Sequence, residues 1–198
     1  EAIDRMKVAI DGLPTSLDSI TSSAQSIALL TGDLKSGTDT AIALNDAFLA
    51  SGSSSADAAR GLTQYTQMLS SGKVDMQSWK TLLETMSPAL TKVANSFGYT
   101  GKSAKQDLYK ALQSGEITFD QLNKRIIELD GATGGFAELA KTQSAGIQTS
   151  FTNMRLAVVK GLADMLSAID DSLQANGFKN IAAQIDKGKK VIKNAFDQ

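Results

Sequence analysis

The sequence predicts an all-α fold, namely a compact bundle of short helices followed by one long C-terminal helix. Apolar residues recur at spacings of three and four along nearly the whole chain, which is the period of one face of an α-helix. Glycines interrupt this pattern repeatedly, and the 198 residues contain only two prolines and few of the aromatic and β-branched runs typical of strands. We therefore predict a compact helical domain at residues 1–132, with its core at 16–132, and a second part at 133–198.

Two helices are predicted before residue 33. Apolar positions within residues 3–10 share one helical face, and the sequence Gly-Leu-Pro at 12–14 interrupts it. A second apolar face covers residues 17–30 and should end at Gly32, because glycine readily adopts the left-handed conformation that often follows a helix. Both helices are amphipathic and should therefore pack on a shared core.

Two more helices are predicted between residues 39 and 69. Asp39 or Thr40 can open the third, whose apolar positions reach residue 49 and which Gly52 should close. Ser55 should begin the fourth, because a serine hydroxyl at the N-cap accepts a hydrogen bond from a free backbone N–H. Residues 59, 62, 65 and 69 are apolar and lie on one side of that helix.

A further helix start is predicted at Ser87 and Pro88. Proline is favoured at the first helical position, because the N–H that it lacks would have no partner there. This helix should stop at Gly98, and the next should begin at Lys102 or Ser103.

The most informative local feature is a sequence repeat in which residues 69–79 match residues 112–122. Gly72 and Gly115 can each end a helix in the left-handed conformation. Asp75 and Thr118 can cap the next helix, and Thr118 with Gln121 fits a capping box. We name residues 69–79 corner 1 and residues 112–122 corner 2, because each is predicted to join two helices at a fixed angle.

Apolar residues flank both caps. Val74 and Ile117 directly precede the cap, and Trp79 and Leu122 lie four positions into the following helix. Such a pair forms a hydrophobic staple, which fixes the direction in which the chain enters the helix. Trp79 is therefore predicted to be buried. The architectural residues on which this part of the fold should depend are Gly72, Val74, Trp79, Pro88, Gly98, Gly115, Ile117 and Leu122.

The second part, residues 133–198, is predicted to hold a glycine loop, a long helix and a short basic helix. Gly131 and the Gly134-Gly135 pair mark the loop, and Asn176-Gly177 should end the long helix that begins near residue 145. Its apolar positions could pack on the globular core or form a seam for self-association. The basic helix should cover residues 181–196.

No catalytic, cofactor-binding or metal-binding residue is predicted. The chain has neither cysteine nor histidine, which excludes disulfides, thiolate nucleophiles, Ser-His-Asp triads and histidine metal sites. Glu84 could be a partly buried general acid, but a position on a helix surface is favoured, and Asp170-Asp171 has no neighbouring carboxylates at metal-ligand spacing. We therefore predict a non-enzymatic protein without a cofactor.

Two sequence features could suggest nucleotide or nucleic-acid binding, but neither fits the pattern that such binding requires. Residues 98–103 end in the Gly-Lys-Ser of a phosphate-binding loop, but position 96 is Ser instead of Gly and a helix precedes it instead of a strand. The predicted helix at 119–130 carries Lys124 and Arg125 beside three acidic residues, so it lacks the positive face of a DNA-recognition helix. A peptidoglycan-degrading or DNA-binding helical domain remains the alternative.

An ordered series of motifs from Gly72 to Ser167 resembles the tape-measure domain of long-tailed phages and prophages. The segment at 57–62, DAARGL, is similar but less distinctive. The motifs that carry the likeness are LSSGKV at 69–74, the helix at 79–83, MSPAL at 86–90, VANSFGYT at 93–100, LYKALQSGEIT at 108–118, Gly146 and TSFTN at 149–153.

This resemblance implies a fragment of a structural virion protein that acts in tail assembly and tail-length determination, with a role in DNA ejection. It also implies tail-tube proteins, tail-tip proteins and assembly chaperones as partners, and a location in the tail interior after assembly in the host cytoplasm. Self-association through the long helix is expected, whereas a small-molecule substrate, sequence-specific nucleic acid and a membrane span are not. The two corners predict that this piece is a compact module within the tape-measure protein, and not an extended part of it.

Overall fold

Helices follow one another without a strand through residues 1–144, which is the part of the chain that the computed structural model describes. The predicted all-α fold is confirmed for these residues. The predicted long helix near 145–175, the basic helix at 181–196 and Asp170-Asp171 lie outside them. The described helices are α1 (Ala2–Ile10), α2 (Leu17–Thr31), α3 (Leu34–Ala50), α4 (Ser55–Ser71), α5 (Met76–Ser96), α6 (Ala104–Ser114), α7 (Phe119–Asp130) and α8 (Phe136–Gln143).

Helix α3 lies at the centre of the bundle. It packs against α1, α2, α4, α5, α7 and α8, and its most extensive contact is with α2. Its inward residues, among them Leu44 and Phe48, have no exposed surface. Because one helix contacts six others, the apolar stripes of the short helices converge on a single core.

The start of α3 corrects one prediction. Helix α3 begins at Leu34 and not at Asp39 or Thr40, because Asp33 is the N-cap and its carboxylate accepts the backbone N–H groups of Lys35 and Ser36 at 3.3 and 2.8 Å. A glycine at position 37 disfavours a helix when only local propensity is considered. Tertiary packing overrides that propensity here, as the neighbourhood of Gly37 shows.

Gly37 of α3 lies directly against the backbone of α2. A Cβ atom added at this position would be 2.5 Å from the backbone nitrogen of Ala28 and 2.6 Å from the carbonyl oxygen of Ala24. Both atoms belong to the α2 backbone and have no rotamer through which they could move away. The missing side chain therefore allows α2 and α3 to pack backbone against backbone.

Two predicted helix caps are each wrong by one residue. Ser54, and not Ser55, caps α4, since the Ser54 hydroxyl accepts the N–H of Asp57 at 3.1 Å. The interruption predicted at Ser87 falls at Met86, whose backbone is non-helical (φ −141°, ψ 38°) inside α5. The predicted break before Pro88 is confirmed, and only its position differs.

The chain between α3 and α4 satisfies backbone groups at this break in α5. The Ser53 hydroxyl donates a hydrogen bond to the carbonyl of Thr85, and the Ser51 hydroxyl accepts the N–H of Ala89 at 3.3 Å. Pro88 has no N–H, so the regular hydrogen-bond ladder cannot continue through it. Side chains from a neighbouring loop thus replace part of that ladder and hold the bend in place.

Helix α8 was not predicted from the sequence. Its Phe136 and Ala140 are 1% and 0% exposed and belong to the same core as α1–α7. The predicted glycine loop precedes α8, with Gly134 in the left-handed conformation (φ 67°). The division of the chain at 132/133 stays a prediction.

Candidate functional site

The two corners have the predicted backbone conformation. Gly72 follows α4 with φ 67° and ψ 13°, and Gly115 follows α6 with φ 79° and ψ 6°. Both values lie in the left-handed region that favours glycine. The repeated sequence therefore folds twice into the same helix end.

The caps that follow these glycines are also confirmed. The Asp75 carboxylate accepts the backbone N–H of Ser78 at 2.8 Å, and hydrogen bonding to Ser78 lowers the pKa of Asp75. The Thr118 hydroxyl accepts the N–H of Gln121 at 3.2 Å, while the Gln121 side chain accepts the N–H of Thr118 at 2.9 Å. This reciprocal pair is a complete capping box.

The staple residues of both corners lie in one hydrophobic core. Val74 and Trp79 are 6% and 3% exposed, and Ile117 and Leu122 are 7% and 2% exposed. The predicted burial of Trp79 is therefore confirmed. Because both corners are anchored in the same core, the directions of α5 and α7 are fixed relative to each other.

Two contacts link the helices that flank the corners. The ring of Trp79 in corner 1 lies 5.5 Å from the ring of Tyr109, one turn before corner 2, with an interplanar angle of 40°. The hydroxyl of Tyr65 on α4 donates a hydrogen bond to the Oδ1 atom of Asn123 on α7, and both residues are buried. Burial raises the pKa of the Tyr65 phenol, so Tyr65 stays a hydrogen-bond donor.

The basic residue pair of α7 is partly used for packing. The guanidinium of Arg125 lies 4.3 Å from the ring centre of Phe97, forms an ion pair with Glu128 at 3.3 Å and donates to the carbonyl of Ser96. Gly98, which follows Phe97 with φ 93°, closes this end of α5 as predicted. Arg125 therefore holds α7 against α5, which leaves less positive charge for a nucleic-acid contact.

Glu84 lies on a helix surface, as the sequence favoured. Its side chain is 64% exposed and pairs with Arg60 at 3.3 Å. A glycosidase acid needs a carboxyl whose pKa is raised by an apolar pocket. Glu84 does not have that environment.

A buried pair of carboxyl groups is the feature that the sequence analysis missed. Asp46 of α3 is 3% exposed, and its side chain is hydrogen-bonded to that of Asp130, the last residue of α7. Burial, followed by the charge of Asp130, raises the pKa of Asp46 to about 9, and burial also raises the pKa of Asp130. The run of apolar residues around position 46 was a signal that this aspartate faces inward.

Within residues 1–144, no group of three or more acidic, cysteine or histidine side chains is placed to hold a metal ion. No helix in the same range has both the length and the apolar character that crossing a lipid bilayer requires. The distinctive feature of the described residues is the corner geometry that occurs twice in the chain.

A sequence profile of the family described as tape measure protein matches residues 1–171. The chain belongs to the tape measure protein family. No curated protein and no solved structure matches it. Tape measure proteins are structural components of bacteriophage tails, so the resemblance seen at residues 72–167 is confirmed and the chain is assigned to the phage tail.

Proposed function

We propose that this tape-measure chain is a compact helical module that acts in tail assembly and tail-length determination and contributes to DNA ejection. The family match over residues 1–171 is the observation that carries this proposal. The described residues support a shape-determining role, because their unusual features are caps, staples and close helix crossings. We further propose that the chain is not an enzyme and needs no cofactor.

The fold suggests that such a module adds less length to the tail than an extended helix of the same number of residues would. A straight helix of the described residues 1–144 would be roughly 220 Å long, since a helix rises about 1.5 Å per residue. The corners instead turn the chain back on itself around α3. The module would therefore contribute a fixed, short distance to the tail, whereas extended parts of a tape-measure protein would contribute in proportion to their length.

The proposed partners are those of a tail interior. Tail-tube proteins, tail-tip proteins and assembly chaperones are the candidates, and the segment near 145–175 is the candidate for self-association. The proposed location is the inside of the tail in the virion, and the host cytoplasm during assembly.

Tail length in the parent phage tests this proposal. An in-frame deletion of residues 1–144 should reduce the number of complete tails, and electron micrographs of the remaining tails should show a length change far below the roughly 220 Å of a straight helix. Tails of normal number and length would contradict a role in assembly. Shortening by the full length of a straight helix would contradict the compact module.

Two substitutions at adjacent positions test whether tail assembly requires the folded shape of the module or only the presence of its residues. Trp79→Ala removes a buried staple residue, whereas Lys80→Ala changes an exposed neighbour on the same helix. We expect fewer complete virions with Trp79→Ala and normal virions with Lys80→Ala. Equal yields for the two variants would show that the folded shape of corner 1 is not what assembly requires.

A further inference from the structure

The carboxyl pair, which we define as Asp46 and Asp130, lies where α3, α7 and α8 meet. The Oδ1 atom of each residue is inaccessible to solvent, and neither Oδ1 atom accepts a hydrogen bond from an N–H or hydroxyl group of the described residues. Two carboxylates that are both ionised repel each other strongly in such a place, because burial removes the water that would screen them. A hydrogen bond between two carboxyl groups, by contrast, requires that one of them keep its proton.

The charged surroundings of the pair come from two helices. Asp130 of α7 raises the pKa of Asp46, and Lys141 of α8 lowers it, although burial has the largest effect. Helices α1, α2, α4 and α5 also pack on α3, but none of their described residues contributes a charge that acts on Asp46. Among the described residues, Lys141 of α8 is therefore the positive charge that acts on Asp46.

A tight loop links Asp130 to α8. A Cβ atom at Gly135 would lie 2.1 Å from the carbonyl oxygen of Leu129 and 2.9 Å from that of Asp130. The backbone N–H of Gly134 donates to the Glu138 side chain at 2.8 Å, which ties the loop to α8 itself. Because of this close folding, displacement of Asp130 from Asp46 would also displace the start of α8.

Helix α8 depends on this docking for its stability. It comprises 8 residues and has no side-chain hydrogen bond at its N-cap. An isolated helix of this length is unstable in water, so packing on the bundle must hold it. Short helices that depend on docking for their stability open more readily than the rest of a domain.

We propose that Asp46 and Asp130 share one proton, and that this proton holds α8 on α3. The loss of the proton as pH rises releases α8 together with the end of α7. This inference is independent of the tape-measure role, because it concerns only the opening of α8 in the isolated chain.

The sign of the pH dependence follows from where the proton is bound. The closed state keeps the proton well above the ordinary aspartate range, whereas the open state exposes both carboxyls and loses it near pH 4. Stabilisation of the closed state is therefore complete below about pH 4 and declines as pH rises. One released proton increases the opening equilibrium up to about tenfold per pH unit, or up to about 100-fold between pH 5 and pH 7.

Hydrogen exchange of the full chain, followed by mass spectrometry, measures this opening. After correction for intrinsic exchange rates, the α8 peptide of the wild type should show opening that increases steeply from pH 5 to pH 7. Asp46→Asn keeps a neutral hydrogen-bond donor toward Asp130, so its α8 opening should change less than about threefold over that range. Asp120→Asn, at an exposed position of α7, is the matched control and should keep the wild-type slope.

A second measurement avoids the risk that a variant fails to fold. Carbon-13 NMR of the aspartate carboxyls in the wild type should show one group that titrates far above the ordinary aspartate range. Lys141→Gln should move that midpoint to higher pH, because it removes the positive charge that favours ionisation of Asp46. A shift in this direction would show that α8 and the pair are in contact.

Three results would overturn the shared proton. The first is titration of every aspartate below about pH 5. The second is an equal pH slope of α8 opening in the wild type and in Asp46→Asn. The third is full protection of α8 at pH 7 on addition of Mg²⁺ or Ca²⁺ alone, which would identify the pair as a cation site.

Discussion

Substitution of Gly37 by alanine is the most direct test of how α2 and α3 pack. The new Cβ would lie 2.5 Å from the Ala28 nitrogen and 2.6 Å from both the Ala24 carbonyl oxygen and the Ala28 Cα. All three are backbone atoms, so the clash cannot be relieved by a side-chain rotation. One helix must move by about 1 Å before these pairs reach an ordinary contact distance near 3.5 Å.

Two opposing effects determine the magnitude. Alanine in place of glycine favours a helix by about 1 kcal/mol. Overpacking of a well-packed core typically costs about 1–3 kcal/mol, and we expect the upper end because α2 contributes residues such as Ile20 and Ile27 that have almost no exposed surface. The expected net loss is about 2 kcal/mol, which corresponds to a Tm lower by roughly 4–8 °C for a chain of this size.

Thermal unfolding followed by circular dichroism at 222 nm measures this change, with Gly131→Ala as the matched control. Gly131 has φ −80° and ψ −5°, values that alanine adopts readily, and an added Cβ would meet only the Ile127 carbonyl oxygen at 3.9 Å. The control should be neutral or more stable by about 0.4–1 kcal/mol. If Gly37→Ala were as stable as Gly131→Ala, the backbones of α2 and α3 would not be in contact.

Three further changes probe the corners, each by urea denaturation. Trp79→Ala should lower the free energy of unfolding by about 3–5 kcal/mol, because it leaves a large cavity, and an unchanged value would place Trp79 on the surface. Tyr65→Phe should lower the free energy of unfolding by about 1–3 kcal/mol, because it leaves the buried Asn123 oxygen without its donor. A loss below about 0.5 kcal/mol would refute that hydrogen bond. Thr118→Ala should lower the free energy of unfolding by about 1 kcal/mol, because it removes the α7 cap. The control Thr63→Ala, at an exposed mid-helix position, should leave it nearly unchanged. Equal losses in the two variants would exclude the cap.

The corners were predictable because their interactions are local. The left-handed glycines, the caps and the staple positions all involve residues within about six positions of one another, and each depends on residue type more than on the rest of the fold. The same signals were less accurate where two candidates were adjacent, as at Ser54 and Ser55. Helix α8 was missed because a short apolar pattern between glycines does not by itself distinguish a helix from a loop.

The sequence by itself determined that this chain is helical, where most of its helices begin and end, that both corners have the same form, and that it resembles tape-measure proteins. Only the tertiary structure decided which helices cross at Gly37, which partner the Tyr65 hydroxyl meets and why Asp46 lies beside Asp130. Those contacts join residues far apart in the chain, so no short-range periodicity encodes them. The free-energy contributions of these contacts depend on the close approach of atoms and on the exclusion of water. Both conditions arise only when the helices have packed.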